Sequence, residues 1–242
     1  EQFRNALKEN ASSFVASLID LYASDKYLQE CNPNQVVMEA LKAATLKLPI
    51  NKQLGFAYIV PYKKVPQFQL GYKGYIQLAM RTGQYKYLNA GIVYEGMEVK
   101  KDILTGKVEI SGEPKSDKAI GYFTYMELLN GFSKTLYMTK DEIINHAKKH
   151  SKSYGNKNGA WSTNFDEMAM KTTTRLLLSK YGILSTDMIA ALTSDTADDT
   201  ETEVAKEIEE NANKEVIDVD YEVAEKTETQ KEPEQTTIEG PG

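Results

Sequence analysis

Lys73, Gln77 and Arg81 stand at i, i+4 and i+8 of a segment, FQLGYKGYIQLAMRTGQYKY (Phe68–Tyr87), that contains no Asp or Glu. On a helix the three share one stripe, two cations around an amide, and such a stripe can follow a phosphodiester backbone. Tyr75, beside it, could offer a ring to a base. Single-stranded nucleic acid is held without sequence preference by this mixture of cations for phosphate and π-faces for bases. A solvated helix face next to buried tyrosines has the same pattern, so the stripe alone leaves both readings open. Its surroundings favour the first. From Ala40 to Tyr94 the chain carries eight Lys/Arg, nine aromatic residues and no acid, which is the electrostatic footprint of a polyanion site. Lys63, Lys64 and Lys86 belong to this span.

A later segment repeats the device. Lys171 and Arg175 are again four apart, with Lys180 near the same stripe, and Met168, Leu176, Leu177 and Tyr181 supply an apolar side. The loop before it adds Lys152, Lys157 and Trp161. An ordinary amphipathic helix would look similar, but two such helices in one chain suggest a basic groove with two walls.

Catalytic readings fare worse. No G-x-x-x-x-G-K-[S/T] occurs, so phosphate-loop ATP hydrolysis has no support. Gly71-x-x-Gly74 lacks dinucleotide-binding spacing. His146 and His150 have i, i+4 spacing, yet the Glu of a zinc-protease helix is absent and two lysines intervene. Glu98-Val-Lys100 resembles half of a nuclease motif, but no Asp lies between Asp25 and Asp102 to complete a metal-binding carboxylate cluster. Cys31 reads as structural. The expectation is a binding protein with no catalytic residue, no metal site and no cofactor, leaving room for a non-catalytic dependence on Mg2+.

The formal charge of −6 over 242 residues averages two opposite regions. Residues 195–242 hold 17 Asp/Glu against 4 Lys/Arg, or −13, so residues 1–194 carry +7. The mean hydropathy of −0.49 agrees with part of the chain staying outside any core. We therefore expect a basic, folded core over 1–194, suited to a polyanion, and an acidic, unstructured tail over 195–242. No apolar run is long enough for a membrane span. The opening EQFRNALKEN lacks a signal-peptide h-region and an initiator Met. A single cysteine excludes an intramolecular disulfide and fits a reducing cytoplasm.

These residues need elements to position them. Apolar spacing predicts helices over 3–22, from Asn32-Pro33 to about Leu46, and over about 72–82, where Gly83 ends the last. In the second, Val36, Val37, Ala40, Leu41 and Ala44 should face the core. In the third, Tyr72, Ile76 and Ala79 should. GFAYIVPY and VPQFQL read as strands turning at Lys63-Lys64. Short strands follow over 88–111, then a hairpin pivoting on Asn130-Gly131. Thr139 to Glu142 is a capping box opening a helix to about His150. Residues 151–161 read as a loop, 164–181 as a longer helix and 186–192 as a short one. The fold class is α+β with a mostly antiparallel sheet.

LKAATLKLPINKQLGFAYIVPY, FQLGYKGYIQLAMRTGQYKYLNA, ELLNGF, K-T-T-T-R (171–175) and LLSKYGILS together resemble the RecT family of phage and prophage single-strand annealing proteins, over roughly residues 1–192. The resemblance implies an ATP-independent recombinase that coats single-stranded DNA and anneals it to a complement as a ring or helical filament. It further implies a bent antiparallel sheet with flanking helices lining a positive groove. Lys73, Arg81, Lys171 and Arg175 would then lie on the bounding helices. A partner exonuclease, a host single-strand-binding protein and the cytoplasm of a bacterial host are implied as well. The acidic tail could link to such a partner, mimic DNA in the groove, or simply solubilise.

Overall fold

The computed structural model of the chain describes residues 3, 7, 10–151 and 153–195. Lys152 and nearly all of the acidic tail lie outside the described residues. From Ala11 onward the described residues form the helices α1 (Ala11–Ser24), α2 (Lys26–Gln29) and α3 (Pro33–Thr45). Phe3 and Leu7, both helical, pack on the same core as α1. Asn32 caps α3 by accepting from the Asn34 N–H at 2.9 Å, with Pro33 at the first helical position. Asp25 caps α2 through the Tyr27 and Leu28 amides and pairs with Lys52 at 2.6 Å.

The strands β1 (Ala57–Tyr62) and β2 (Val65–Leu70) form an antiparallel hairpin in which Tyr62 faces Val65, so Lys63-Lys64 is a two-residue turn. Both lysines have positive φ, 47° and 70°. The helix α4 (Tyr72–Arg81) follows directly. A Cβ at Gly71 would collide with the Gly55 carbonyl oxygen, and one at Gly74 with that of Phe56. The glycine pair thus lets the start of α4 press against the backbone leading into β1.

Next come β3 (Tyr85–Tyr94), the hairpin β4 (Glu98–Lys101) and β5 (Val108–Ser111), then β6 (Ala119–Leu128) and β7 (Ser133–Thr139). Among the described residues every strand pairing is antiparallel, in three separate ladders: β1-β2, β3-β6-β7 and β4-β5. The last elements among the described residues are α5 (Lys140–His150), α6 (Ala160–Thr163), α7 (Phe165–Tyr181) and α8 (Thr186–Ser194). The Thr139–Glu142 capping box is formed reciprocally. This is the expected α+β class.

Details of phase differ from the expectation. On α4 the buried side is Gly74, Tyr75, Leu78 and Ala79, while Tyr72 and Ile76 are only half-buried. Glycine at 74 draws the backbone in, which turns Tyr75 inward. On α3 the buried positions are Val36, Ala40, Ala43 and Ala44, and Val37 points outward. The turn after β6 spans Leu129–Phe132 rather than two residues, closed by Leu128 N–H to the Phe132 carbonyl at 2.8 Å. The loop from 151 contains the helical turn α6 at its end, where Trp161 is buried.

Two apolar clusters organise the packing. The larger joins α1–α4, β1, β2, α8 and the end of α7 around Phe68, Tyr75, Leu78 and Leu177. The smaller joins α5, α6, β6 and the start of α7 around Tyr122, Ile143 and Trp161. Helix α7 therefore passes through both. Where it crosses β6, the Thr124 hydroxyl lies 2.9 Å from that of Thr173 and 3.0 Å from that of Thr174, all buried. The hydroxyls satisfy one another, so a polar patch can sit inside without an unpaired group.

Candidate nucleic-acid interface

The start of α4 opens on a cleft of about 530 Å³. Lys73 and Lys171, far apart in sequence, both line it, because α4 packs against α7. Lys52, Gln53, Gln69, Asn158 and Asn164 add polar side chains, and Tyr58 and Tyr72 add rings. Helix α4 begins here without an acid in its first turn and without a side-chain cap. Its first N–H groups and its dipole favour an anion. Among the described residues Lys73 has no carboxylate partner, and its ammonium lies 5.9 Å from the Tyr72 ring centre. Burial, helped by the Glu167 carboxylate and by Tyr72, pushes the Tyr58 phenol above its ordinary pKa. Tyr58 therefore meets the cleft as a neutral hydroxyl and ring.

The other two cations are already engaged. Lys52 pairs with Asp25. Lys171 donates to Asp195 Oδ1 at 3.0 Å, and its side chain is 12% exposed. The Asp195 carboxylate, completely buried, also accepts from the Leu70 N–H at 2.9 Å and from the Tyr75 hydroxyl at 2.6 Å. This node corrects three expectations. Tyr75 is fully buried and cannot stack on a base. Lys171 has its charge balanced inside the protein. Asp195, assigned above to the acidic tail, belongs to the core. Asp195 was missed because it opens an acid-rich stretch and two of its three partners, Leu70 and Tyr75, lie over a hundred residues earlier.

Arg175, half-buried, lines a narrow cavity between α5 and α7 that also touches Lys171 and Asp195. Lys180 lies farther along α7 in a second cleft of about 470 Å³, bounded by β7 and the β4–β5 hairpin. Its floor is apolar, with Leu136, Leu176 and Leu177, and its rim holds Lys101, Lys107 and Lys134. Lys134 and Lys180 each sit 5.3 Å from the Tyr181 ring, and Lys101 sits 4.9 Å from that of Tyr137. These rim lysines were not singled out in the sequence, since they are dispersed among acids. The two clefts and the cavity share lining residues, so they follow one another along α7.

The remaining candidates scatter. Arg81 donates to the Leu46 and Lys47 carbonyls at 2.6 and 2.9 Å, closing the end of α3. Two of its nitrogens thus serve a helix terminus, which corrects its assignment to an open phosphate track. Gln77 is half-buried between Lys73 and Arg81 on α4. Lys86 pairs with Glu127 at 2.7 Å, and that bond raises its ammonium above the ordinary pKa. It is a paired residue of β3, not an open cation. Lys63 and Lys64 are exposed at the hairpin tip, Lys64 with a loose 3.7 Å contact to Glu30. The His146 and His150 rings lie 4.5 Å apart, and among the described residues no cluster of three His, Cys, Asp or Glu could hold a metal ion.

Residues 12–217 match the model of the RecT family. The chain is 45% identical over 238 residues to Uncharacterized protein YqaK of Bacillus subtilis (strain 168), covering 98% of this chain and 81% of that protein. It is 31% identical over 178 residues to Protein RecT of Escherichia coli (strain K12), covering 69% of this chain and 65% of that one. The matched region begins inside α1 and runs past Asp195 into the acidic stretch.

Proposed function

Taking as premise that this chain belongs to the RecT family, we propose that it binds single-stranded DNA and anneals complementary strands in recombination, without ATP and as a homo-oligomer. The observation that carries this reading is the succession of clefts along α7 in a chain of that family, with Lys73 and the uncapped start of α4 at one end and Lys180 at the other. Lysine and helix-terminal N–H groups hold phosphate and displace its counterions. With one strand neutralised, the phosphate repulsion that opposes pairing falls. Base edges left outward are free to sample a second strand, so specificity belongs to base pairing. Several protomers side by side make successive pairing events effectively intramolecular. No bond is made or broken, so no catalytic residue is required.

The core of residues 1–194, together with Asp195, would carry this activity, on Lys63, Lys64, Lys73, Gln77, Arg175 and Lys180. An exonuclease that exposes single strands and a single-strand-binding protein of a bacterial host are the partners such a reaction needs. No described helix is long and apolar enough to cross a membrane.

The test is fluorescence-monitored pairing of two complementary oligonucleotides without nucleotide or added metal. The protein should accelerate duplex formation, and Lys73→Ala should weaken binding on every sequence and reduce the salt slope by about 0.7. Binding without acceleration would leave a passive single-strand coat.

A further inference from the structure

The lysine-rimmed cleft beside β7 leaves large apolar groups uncovered. Ile103, at the tip of the β4–β5 hairpin and on the cleft's rim, is 97% exposed, and its neighbour Leu104 is 94% exposed. The tip is nonetheless well built. Asp102 accepts from the Leu104 amide and the Thr105 hydroxyl at 2.9 and 2.8 Å, and Lys134 donates to the Thr105 carbonyl at 2.9 Å. Asp102 is thus spent within its own turn. Lys107 pairs with the exposed Glu109. Among the described residues Lys101, Lys134 and Lys180 form no direct ion pair and rest on tyrosine rings, and Lys101 acts only through its field on the Glu142 carboxylate. An apolar floor under a cationic rim fits an extended peptide with apolar groups on one side and acids on the other.

The chain contains one such peptide. Val216-Ile217-Asp218-Val219-Asp220-Tyr221 interrupts an otherwise polar stretch. Extended, it places Ile217, Val219 and Tyr221 on one face and Asp218 and Asp220 on the other. The family match runs through Ile217, so the first part of this peptide lies within the shared region. The described chain also ends close to the cleft. Asp195 is held against Lys171 of α7, and Leu176, roughly 7.5 Å farther along that helix, already lines the cleft. About twenty residues separate Asp195 from Val216, enough to span more than 60 Å when extended.

We propose that residues 216–221 dock in the cleft between the β4–β5 hairpin, β7 and the end of α7 of the same chain. Ile217, Val219 and Tyr221 cover the apolar floor, and Asp218 and Asp220 meet the rim lysines. This goes beyond the annealing reading and does not depend on it. It sets two carboxylates against lysines that phosphate would otherwise reach.

The test is disulfide trapping in the full chain, with Val219→Cys combined with Lys107→Cys. The native Cys31 is buried. The control pairs Val219→Cys with Lys64→Cys, at the β1–β2 tip, which lines no part of this cleft. Mild oxidation should link 219 to 107 within one chain at least tenfold more than 219 to 64. Adding Ile217→Asp should reduce that yield to the control level. Equal yields for both pairs, or a yield that survives Ile217→Asp, would overturn the proposal. Links formed mainly between differently tagged chains would assign the cleft to a second copy and overturn the intrachain contact.

Discussion

Asp195 shows how one carboxylate can govern a site it does not belong to by sequence. It balances Lys171, satisfies the Tyr75 hydroxyl and the Leu70 amide, and joins β2, α4 and α7. Removing one partner of a buried pair strands the other charge. We expect Asp195→Ala to lower unfolding stability by about 3 kcal/mol in denaturant titration. Adding Lys171→Met should restore part of it, because the stranded ammonium is gone. A second carboxylate gives a pH signature. Burial alone would raise Asp25, but its bonds to Lys52 and to the Leu28 and Tyr27 amides outweigh that and hold its pKa below the ordinary value. Its folded-state pKa is depressed, so its stabilisation is complete above the ordinary carboxylate pKa of about 3.9 and is lost as pH falls through the folded value. Asp25→Asn should therefore flatten the acid limb of the stability profile measured by thermal unfolding.

At the scale of elements, the β1–β2 hairpin carries a visible strain. A two-residue turn with positive φ at both positions ordinarily takes Asn-Gly, and a side chain there costs about 1–2 kcal/mol per residue. This chain places Lys63 and Lys64 there instead. The hairpin was readable from apolar alternation on either side of the two lysines, but the strain was not, because φ follows from how the ladder registers. Lys63→Asn with Lys64→Gly should raise stability by at least about 1 kcal/mol and weaken single-stranded DNA binding. Affinity left unchanged would take the tip out of the proposed path. Helix α4 gives the complementary lesson. Its existence and its end followed from local pattern. Its buried face did not, because Gly71 and Gly74 bring the helix against the Gly55 and Phe56 carbonyls and rotate Tyr75 inward.

For the whole molecule, the division of charge matters more than the sum. At least three exposed or open lysines of the proposed path, Lys63, Lys64 and Lys73, with Lys180 a fourth where the cleft beside β7 is open, would each release counterions on binding. Log affinity for single-stranded DNA should then fall with log salt at a slope of about −2 or steeper, as read by fluorescence anisotropy between low and physiological salt. A flat dependence would remove phosphate neutralisation as the driving term. The α+β class, the helix starts at Asn32 and Thr139, the acid-free basic span and the family blocks were all legible in the sequence. Each rests on neighbours a few residues apart, where spacing alone decides geometry. Which cations stay open was decided only in three dimensions. Lys171, Arg81 and Lys86 look equivalent to Lys73 along the chain. Folding brings Asp195, two helix-end carbonyls and Glu127 to the first three and leaves Lys73 facing the cleft. An ion pair or a terminal carbonyl is a contact between distant segments, and no local period encodes it.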